Sequence, residues 1–349
     1  MSLPAFKLLR PRNILEAVGY LAQHGGDLQI LAGGTDLLPS MKQRLFTPAN
    51  LMDIRGIEEI NGIHAHPGVG VEIGALTPLS VIEDSELIRR DYRVLHEAAR
   101  TVASPILRNM GTLGGNICLD TRCVWYNQSL QWRRSCGFCI KKDGDLCHVA
   151  PGGTECWAAF SADTPPALLC LGAEIEIASA SGRRRIALAD FYTDVGDARM
   201  KLAPGEIVTR VFLPRASAGY RGAYRKLRVR GSIDYPLAGV AAVFRAANGH
   251  AAEARVAITA VNSAPLLVDL KGAASRSAGL EDAARELSGA ARGNAASSNA
   301  NSGFAEAAGD LAARTAKPFT TSALTPEYRR EMVRILTKRA LLELLSGSR

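Results

Sequence analysis

Apolar positions in ILEAVGYLAQHG, residues 14–25, recur at helical spacing, and LQILAGG, 28–34, is a short apolar run entering a Gly-Gly turn, as a buried strand does. LLPSMKQRL (37–45) predicts the next helix and LMDIRG (51–56) a further strand, so residues 1–57 read as a small α/β unit. From Gly70 the pattern changes. VEIGALTPLSVI (71–82) predicts a strand and then a helix starting at Thr77 or Ser80. SELIRRDYRVLHEAARTVAS (85–104) predicts one helix ending near Ser104–Pro105, and GTLGGNICL (111–119) a strand. PALLCLGAEIEIAS (166–179) reads as a helix passing into a strand, IALADFYTD (186–194) as a turn, and GEIVTRVFLPRA (205–216) as a strand closed by Pro214. These elements make 58–220 a second unit.

A third unit, 221–349, opens with YRKLRV (224–229), LAGVAAVFRAA (237–247) and EARVAITAV (253–261), successive strands of an antiparallel sheet with a turn near Gly249. Small and polar residues at 289–303 predict a loop. YRREMVRILTKRALLELL, 328–345, predicts an amphipathic helix with Met332, Ile335, Leu336 and Leu341 toward the core. The fold class is α+β, without an internal repeat.

With 349 residues and 47% hydrophobic content, the chain has enough apolar material for two or three domains with cores. No apolar run approaches the roughly 20 residues of a membrane helix, and the Pro-interrupted, charged start MSLPAFKLLRPRN lacks the form of a signal peptide. A cytoplasmic location without membrane association is the expectation. The net charge is +8, yet the basic residues are scattered in small groups at Arg133–Arg134, Arg183–Arg185 and Arg225–Arg230. That scatter argues against nucleic-acid binding, which needs a basic stripe with aromatic platforms, and favours docking of an acidic partner.

Two glycine-rich runs are candidate phosphate cradles, because glycine lets a backbone approach a phosphate and turn N–H donors toward it. One is ILAGGTDL, 30–37; its plainer reading is a tight turn with Asp36 capping a helix. The other is MGTLGGN, 110–116, which also reads as a strand with a bulge at Gly114–Gly115. Two such loops in one chain point to a dinucleotide held between two subdomains. Gly68, Gly70 and Gly74 give GxGxxxG followed by a strand instead of a helix, which is a plain turn.

Seven cysteines exclude a complete disulfide framework. Five of them, Cys123, Cys136, Cys139, Cys147 and Cys156, fall in one window directly after the second glycine run. Only Cys136–Cys139 is a CxxC pair, whereas structural zinc favours two. An iron–sulfur cluster needs four thiolates and tolerates irregular spacing. Iron–sulfur, zinc and free thiols all stay open on spacing. Cys118 and Cys170 read as small core residues, and His148 as a hydrogen-bonding loop group.

AGGTDLLPSMK, the run SPILRNMGTLGGN and the later YRKLRVRGSIDYPLAGVA together resemble the flavoprotein subunits of the molybdenum hydroxylases, the xanthine oxidase and carbon monoxide dehydrogenase superfamily. The resemblance covers essentially the whole chain. It implies an FAD-binding fold of the vanillyl-alcohol-oxidase type in two subdomains, followed by a C-terminal domain with an antiparallel sheet and helices. Carried over residue by residue, it places Ile30, Leu31, Ala32, Gly33, Gly34, Thr35, Asp36 and Leu37 around the FAD pyrophosphate. Thr112, Leu113, Gly114, Gly115 and Asn116 fall at the phosphates or ribitol, and Val102 near the flavin. Asp163 falls at the adenosine end or the ribityl hydroxyls. Val208 and Lys226 complete the pocket, the lysine near the polar edge of the flavin.

Most members pass almost directly from the second glycine loop to a segment like SADTPPAL, whereas this chain inserts the thiol-bearing stretch at about 120–160. In this it resembles one subfamily, the β subunits of 4-hydroxybenzoyl-CoA reductases, and DTRCVWYNQS and GDLCHVAP are similar in wording. That likeness implies a 4Fe–4S cluster on Cys123, Cys139, Cys147 and Cys156, with Cys136 spare. It also implies that no substrate chemistry is performed on this chain. Molybdopterin would sit on a large subunit and two 2Fe–2S clusters on a small one, in an α2β2γ2 heterohexamer. Electrons from ferredoxin would enter here for reductive dehydroxylation of 4-hydroxybenzoyl-CoA to benzoyl-CoA, a step of anaerobic aromatic degradation. Arg133, Arg134, Lys141 and Lys142 of the insert are candidates for docking an acidic ferredoxin. The rival readings are the FAD/4Fe–4S subunit of an aldehyde oxidoreductase or related molybdenum hydroxylase, and a zinc-stabilised flavin-binding module.

Overall fold

The computed structural model describes residues 2–247, 250–270 and 295–346. The first unit is a parallel three-stranded sheet: β1 (Lys7–Leu9), β2 (Leu28–Leu31) and β3 (Asn50–Asp53), in the order β1-β3-β2. Helix α1 (Ile14–His24) is started by Asn13, whose side chain accepts from the Glu16 amide, and it buries Ile14, Ala17, Val18 and Leu21. After β2 the chain turns through Gly33 and Gly34 into α2 (Leu37–Lys42).

The second unit is an antiparallel sheet of β4 (Ile63–His66), β5 (Gly70–Gly74), β6 (Glu174–Ser179), β7 (Gly182–Ala187) and β8 (Ile207–Pro214), in the order β4-β5-β8-β6-β7. Gly68 turns the β4–β5 hairpin at a φ of 80°, the plain turn expected there. Between β5 and β6 lie the short helices α3 (Leu79–Asp84), α4 (Glu86–Asp91), α5 (Arg93–Arg100), α6 (Pro105–Arg108), α7 (Leu113–Ile117), α8 (Leu130–Ser135) and α9 (Thr164–Cys170).

Two expectations fail in this stretch. The single helix at 85–104 breaks at Tyr92, at φ −135° and ψ 48°, because the ring is drawn into the core between α4 and α5. The strand expected at 111–119 is the short helix α7. Thr112 accepts a hydrogen bond from the Gly115 amide at 3.1 Å, a local cap that competes with extended pairing.

The third unit is an antiparallel sheet in the order β12-β11-β10-β9, from β9 (Arg221–Leu227), β10 (Ala238–Ala247), β11 (His250–Thr259) and β12 (Leu266–Leu267). Ala241, Val243 and Ala257 point into the core shared with α5 and α9. Val240, Ala242, Phe244, Val256 and Ile258 pack against α10 (Ala295–Thr315) and α11 (Pro326–Leu345). The sheet is covered on both faces, which is why LAGVAAV runs apolar without alternation. The loop expected at 289–303 is helical from Ala295 on, as the start of a helix whose Phe304, Ala305, Ala308 and Ala312 pack into the core with α11. Residues 289–294 and the turn near Gly249 lie outside the described residues. In α11, Leu336 and Leu341 are buried, Met332 packs partly, and Ile335 stays at the margin while Val333 and Ala340 fill the core.

Candidate functional site

The two glycine loops meet. A Cβ on Gly33 would lie 1.9 Å from the Met110 carbonyl oxygen, so the first loop touches the second backbone to backbone. Gly34 takes a φ of 72°, a conformation glycine adopts without strain. Gly114 lies against Ala75, where a Cβ would come within 2.7 Å of the alanine Cβ. The SPILR run sets the second loop in place. Ser104 caps α6, and the buried Arg108 binds Glu83 through two hydrogen bonds of 2.6 and 3.1 Å and holds the Val102 carbonyl at 2.9 Å.

These loops border a cleft of about 630 Å³ that runs between the first two units and under the start of the third. Of the residues expected at a cofactor, Ile30, Ala32, Gly33, Gly34, Thr35, Asp36, Leu37, Val102, Thr112, Gly114, Gly115, Asn116, Asp163 and Val208 line it. Leu31 and Leu113 do not; strand and helix geometry turn their side chains into the core. Lys226 also stands behind the wall. Its ammonium is buried, 2.9 Å from Asp163 and 3.0 Å from the Thr101 carbonyl, so it is committed to an ion pair before it can meet a cofactor edge. Asp163 accepts a second bond, from Tyr224 at 2.7 Å. Asn116 caps α9 by accepting from the Thr164 amide and hydroxyl at 3.1 and 2.7 Å.

Asp36 occupies the cap position of α2 but makes no side-chain cap. It binds Arg122 and the Tyr235 hydroxyl, each at 2.8 Å, and the Arg122 guanidinium lies 4.1 Å from the centre of the Tyr235 ring. Every carboxylate lining the cleft among the described residues has a cation partner: Asp36 with Arg122, Asp120 with Lys141 and Arg199, Asp163 with Lys226, Glu206 with Arg184, and Asp234 with Arg230. The Arg184 hydrogen bonds hold the Glu206 carboxyl below its usual range. A cleft with neutralised acids and close-packed glycine backbone fits an anionic dinucleotide such as FAD. Asp120, Arg122 and Tyr235 lie inside the runs DTRCVWYNQS and YRKLRVRGSIDYPLAGVA and Arg199 lies outside any such run; nothing in their spacing assigns the four a role, and only the folded chain brings them to the cleft.

Beyond Asp120 the chain enters the thiol window. Cys123, Cys139, Cys147 and Cys156 line one small cavity together with Trp125, Tyr126, Ile140, Lys141, His148, Val149 and Ala158. Cys136 is outside it, at the end of α8. Burial pushes the Cys123 thiol up to about 11 and the Cys156 thiol up to about 12; ligation of a metal would require both to lose their protons. Among the described residues no three His, Cys, Asp or Glu side chains converge as donors to one ion. A single zinc would hold its sulfurs at about 2.3 Å and so within roughly 4 Å of one another. The four thiols line one cavity with no carboxylate among its lining residues, a donor set of the kind that ligates an iron–sulfur cluster. His148 stacks on Trp125 at 4.4 Å and hydrogen-bonds the Phe138 carbonyl, as expected of a loop group.

Two members of the proposed ferredoxin-docking group are not available. Arg133 is 1% exposed and donates to the Arg44 carbonyl at 2.9 Å, pinning the insert to the first unit, and the Lys141 side chain is 6% exposed. Arg134 and Lys142 remain accessible. Cys170 is buried as expected, whereas Cys118 is half-buried at the cleft wall.

A family description, FAD binding domain in molybdopterin dehydrogenase, matches residues 4–216. The carbon monoxide dehydrogenase medium chain of Afipia carboxidovorans is 31% identical over 268 residues, covering 77% of this chain and 78% of that one. The aldehyde oxidoreductase FAD-binding subunit PaoB of Escherichia coli is 35% identical over 233 residues, 64% of this chain and 73% of its own length. Among solved structures, reconstituted CO dehydrogenase from Oligotropha carboxidovorans superposes with a TM-score of 0.74 at 26% identity over the full length of both chains. Quinoline 2-oxidoreductase from Pseudomonas putida 86, at 23% identity and a TM-score of 0.73, shares the fold.

Proposed function

Because this chain belongs to the FAD-binding subunits of the xanthine oxidase and carbon monoxide dehydrogenase family of molybdenum hydroxylases, we propose that it is the flavin and iron–sulfur subunit of a cytoplasmic 4-hydroxybenzoyl-CoA reductase. The observation that carries the reading is the thiol pocket: Cys123, Cys139, Cys147 and Cys156 share one cavity and Cys136 does not. Bound FAD would exchange one- and two-electron transfers, and a 4Fe–4S cluster would supply single electrons.

The chain's own residues bind and orient. The paired glycine loops would hold the diphosphate, Asp163 and Asn116 stand at the polar cleft wall, and the four cysteines would supply thiolates. Substrate chemistry belongs to a large molybdenum subunit reached through a small 2Fe–2S subunit, in an α2β2γ2 assembly. There 4-hydroxybenzoyl-CoA, two electrons and two protons give benzoyl-CoA and water, with ferredoxin as the donor. The 35% identity to an aldehyde oxidoreductase subunit supports a second reading, in which electrons run outward from an aldehyde.

The test is anaerobic purification followed by iron, acid-labile sulfide, zinc and flavin analysis. About four iron and four sulfide per FAD is the expected result; zinc without sulfide sinks the iron–sulfur reading. Assay of the complex then separates the two reactions. Benzoyl-CoA formed from 4-hydroxybenzoyl-CoA with a low-potential donor supports the first, and aldehyde oxidation alone supports the second.

A further inference from the structure

Flavin cleft and thiol pocket share a wall, and buried charge runs through it. Asp120 lines the cleft and Lys141 lines the thiol pocket, and the two are paired at 2.9 Å. Arg199, also on the cleft, meets the same Asp120 oxygen at 3.2 Å and donates to the Leu119 carbonyl at 2.9 Å. The Lys141 ammonium further donates to the Thr121 carbonyl at 3.0 Å, the Thr121 hydroxyl and the Gly196 carbonyl at 3.2 Å. It lies 4.5 Å from the centre of the Tyr126 ring, another wall of the pocket.

Three segments are thereby tied at one atom. The first is the run from Asp120 to Cys123. The second is the Cys139–Lys142 turn, closed by a 2.8 Å backbone bond. The third is Gly196, whose amide donates to the Cys156 carbonyl at 2.8 Å and whose missing Cβ would fall 2.8 Å from the Cys156 sulfur. A surface clamp would not need a buried ammonium fixed on four oxygens and shared with the neighbouring cavity.

We propose that Lys141, Asp120 and Arg199 form a charge bridge between the two cavities, in which Lys141 positions the thiol pocket and raises the reduction potential of the cluster held there, while Asp120 limits that effect. The inference rests on the iron–sulfur reading of the pocket. Four thiolates leave such a centre negative, and reduction adds a further negative charge. A nearby fixed cation favours the reduced form and a nearby carboxylate opposes it.

Potentials read by redox titration with electron resonance, on the full chain purified anaerobically, test this against wild type. Lys141→Met is expected to keep iron and shift the cluster potential downward, and Lys141→Arg to restore it. Asp120→Asn is expected to shift it upward. A Lys141→Met protein with full iron and an unchanged potential overturns the proposal. If that variant binds no iron, Asp120→Asn decides alone: an upward shift supports the bridge and an unchanged potential overturns it. A wild-type chain without iron overturns the iron–sulfur reading itself, and the inference with it.

Discussion

Gly33 packs its α-carbon against the Met110 carbonyl, and no side chain fits there. Gly33→Ala is expected to force the two loops apart and abolish FAD binding, read as loss of the yellow chromophore and of flavin per chain. Gly196 is the equivalent position for the thiol pocket, with the Cys156 sulfur and the Ala158 amide each 2.8 Å from where a Cβ would sit. Gly196→Ala should lower iron content while flavin stays near one per chain. The cysteines themselves divide cleanly. Cys139→Ala removes a pocket thiol and is expected to remove the cluster, and Cys136→Ala should leave iron unchanged; equal loss in both variants would contradict the assignment. The pairing of Asp36 with Arg122 and Tyr235 shows the limit of reading single residues from sequence. Capping was the local expectation for this aspartate, and two groups far along the chain outbid the helix for its oxygens.

Among the elements, α7 departs furthest from its sequence pattern. GTLGGNICL has the apolar spacing of a strand, but Thr112 satisfies the Gly115 amide and α7 closes over Ala75. Thr112→Ala should cost about 1 kcal/mol of stability and weaken FAD retention on gel filtration, because the cap and the cleft wall are the same residue. A second element-scale effect is the tie between β7 and the start of β8, where Arg184 binds Glu206 through two hydrogen bonds of 2.8 Å. Glu206 has a folded pKa below its unfolded value, so its contribution is present above the unfolded value and is lost as pH falls through the folded one. Melting temperatures of wild type and Glu206→Gln should therefore differ by a steady amount at neutral pH and converge only as pH falls below 4.5 through the lowered folded value. A difference that persists unchanged through that acid range would remove the ion pair as the cause.

At the scale of the molecule, the C-terminal sheet joins two cores, one shared with α5 and α9 and one with α10 and α11. Phe244→Ala, at a fully buried position in the second, should cost about 3–5 kcal/mol. It should still melt in one transition, with flavin and iron released together, since neither core is independent of the sheet. Much of this architecture was legible in the sequence. The apolar periodicity of ILEAVGYLAQHG and GEIVTRVFLPRA and the glycine runs are local signals, and local backbone sterics and side-chain spacing act through near neighbours in the chain. The thiol window marked itself by composition. What remained for the tertiary structure was every choice made between distant segments: the break at Tyr92, the helix from Ala295, the burial of Arg133, and the partners of Asp36, Asp120 and Asp163. An ion pair or a shared wall depends on which surfaces the packing brings within a few ångströms. That distance is set by the whole fold, and no stretch of sequence carries it.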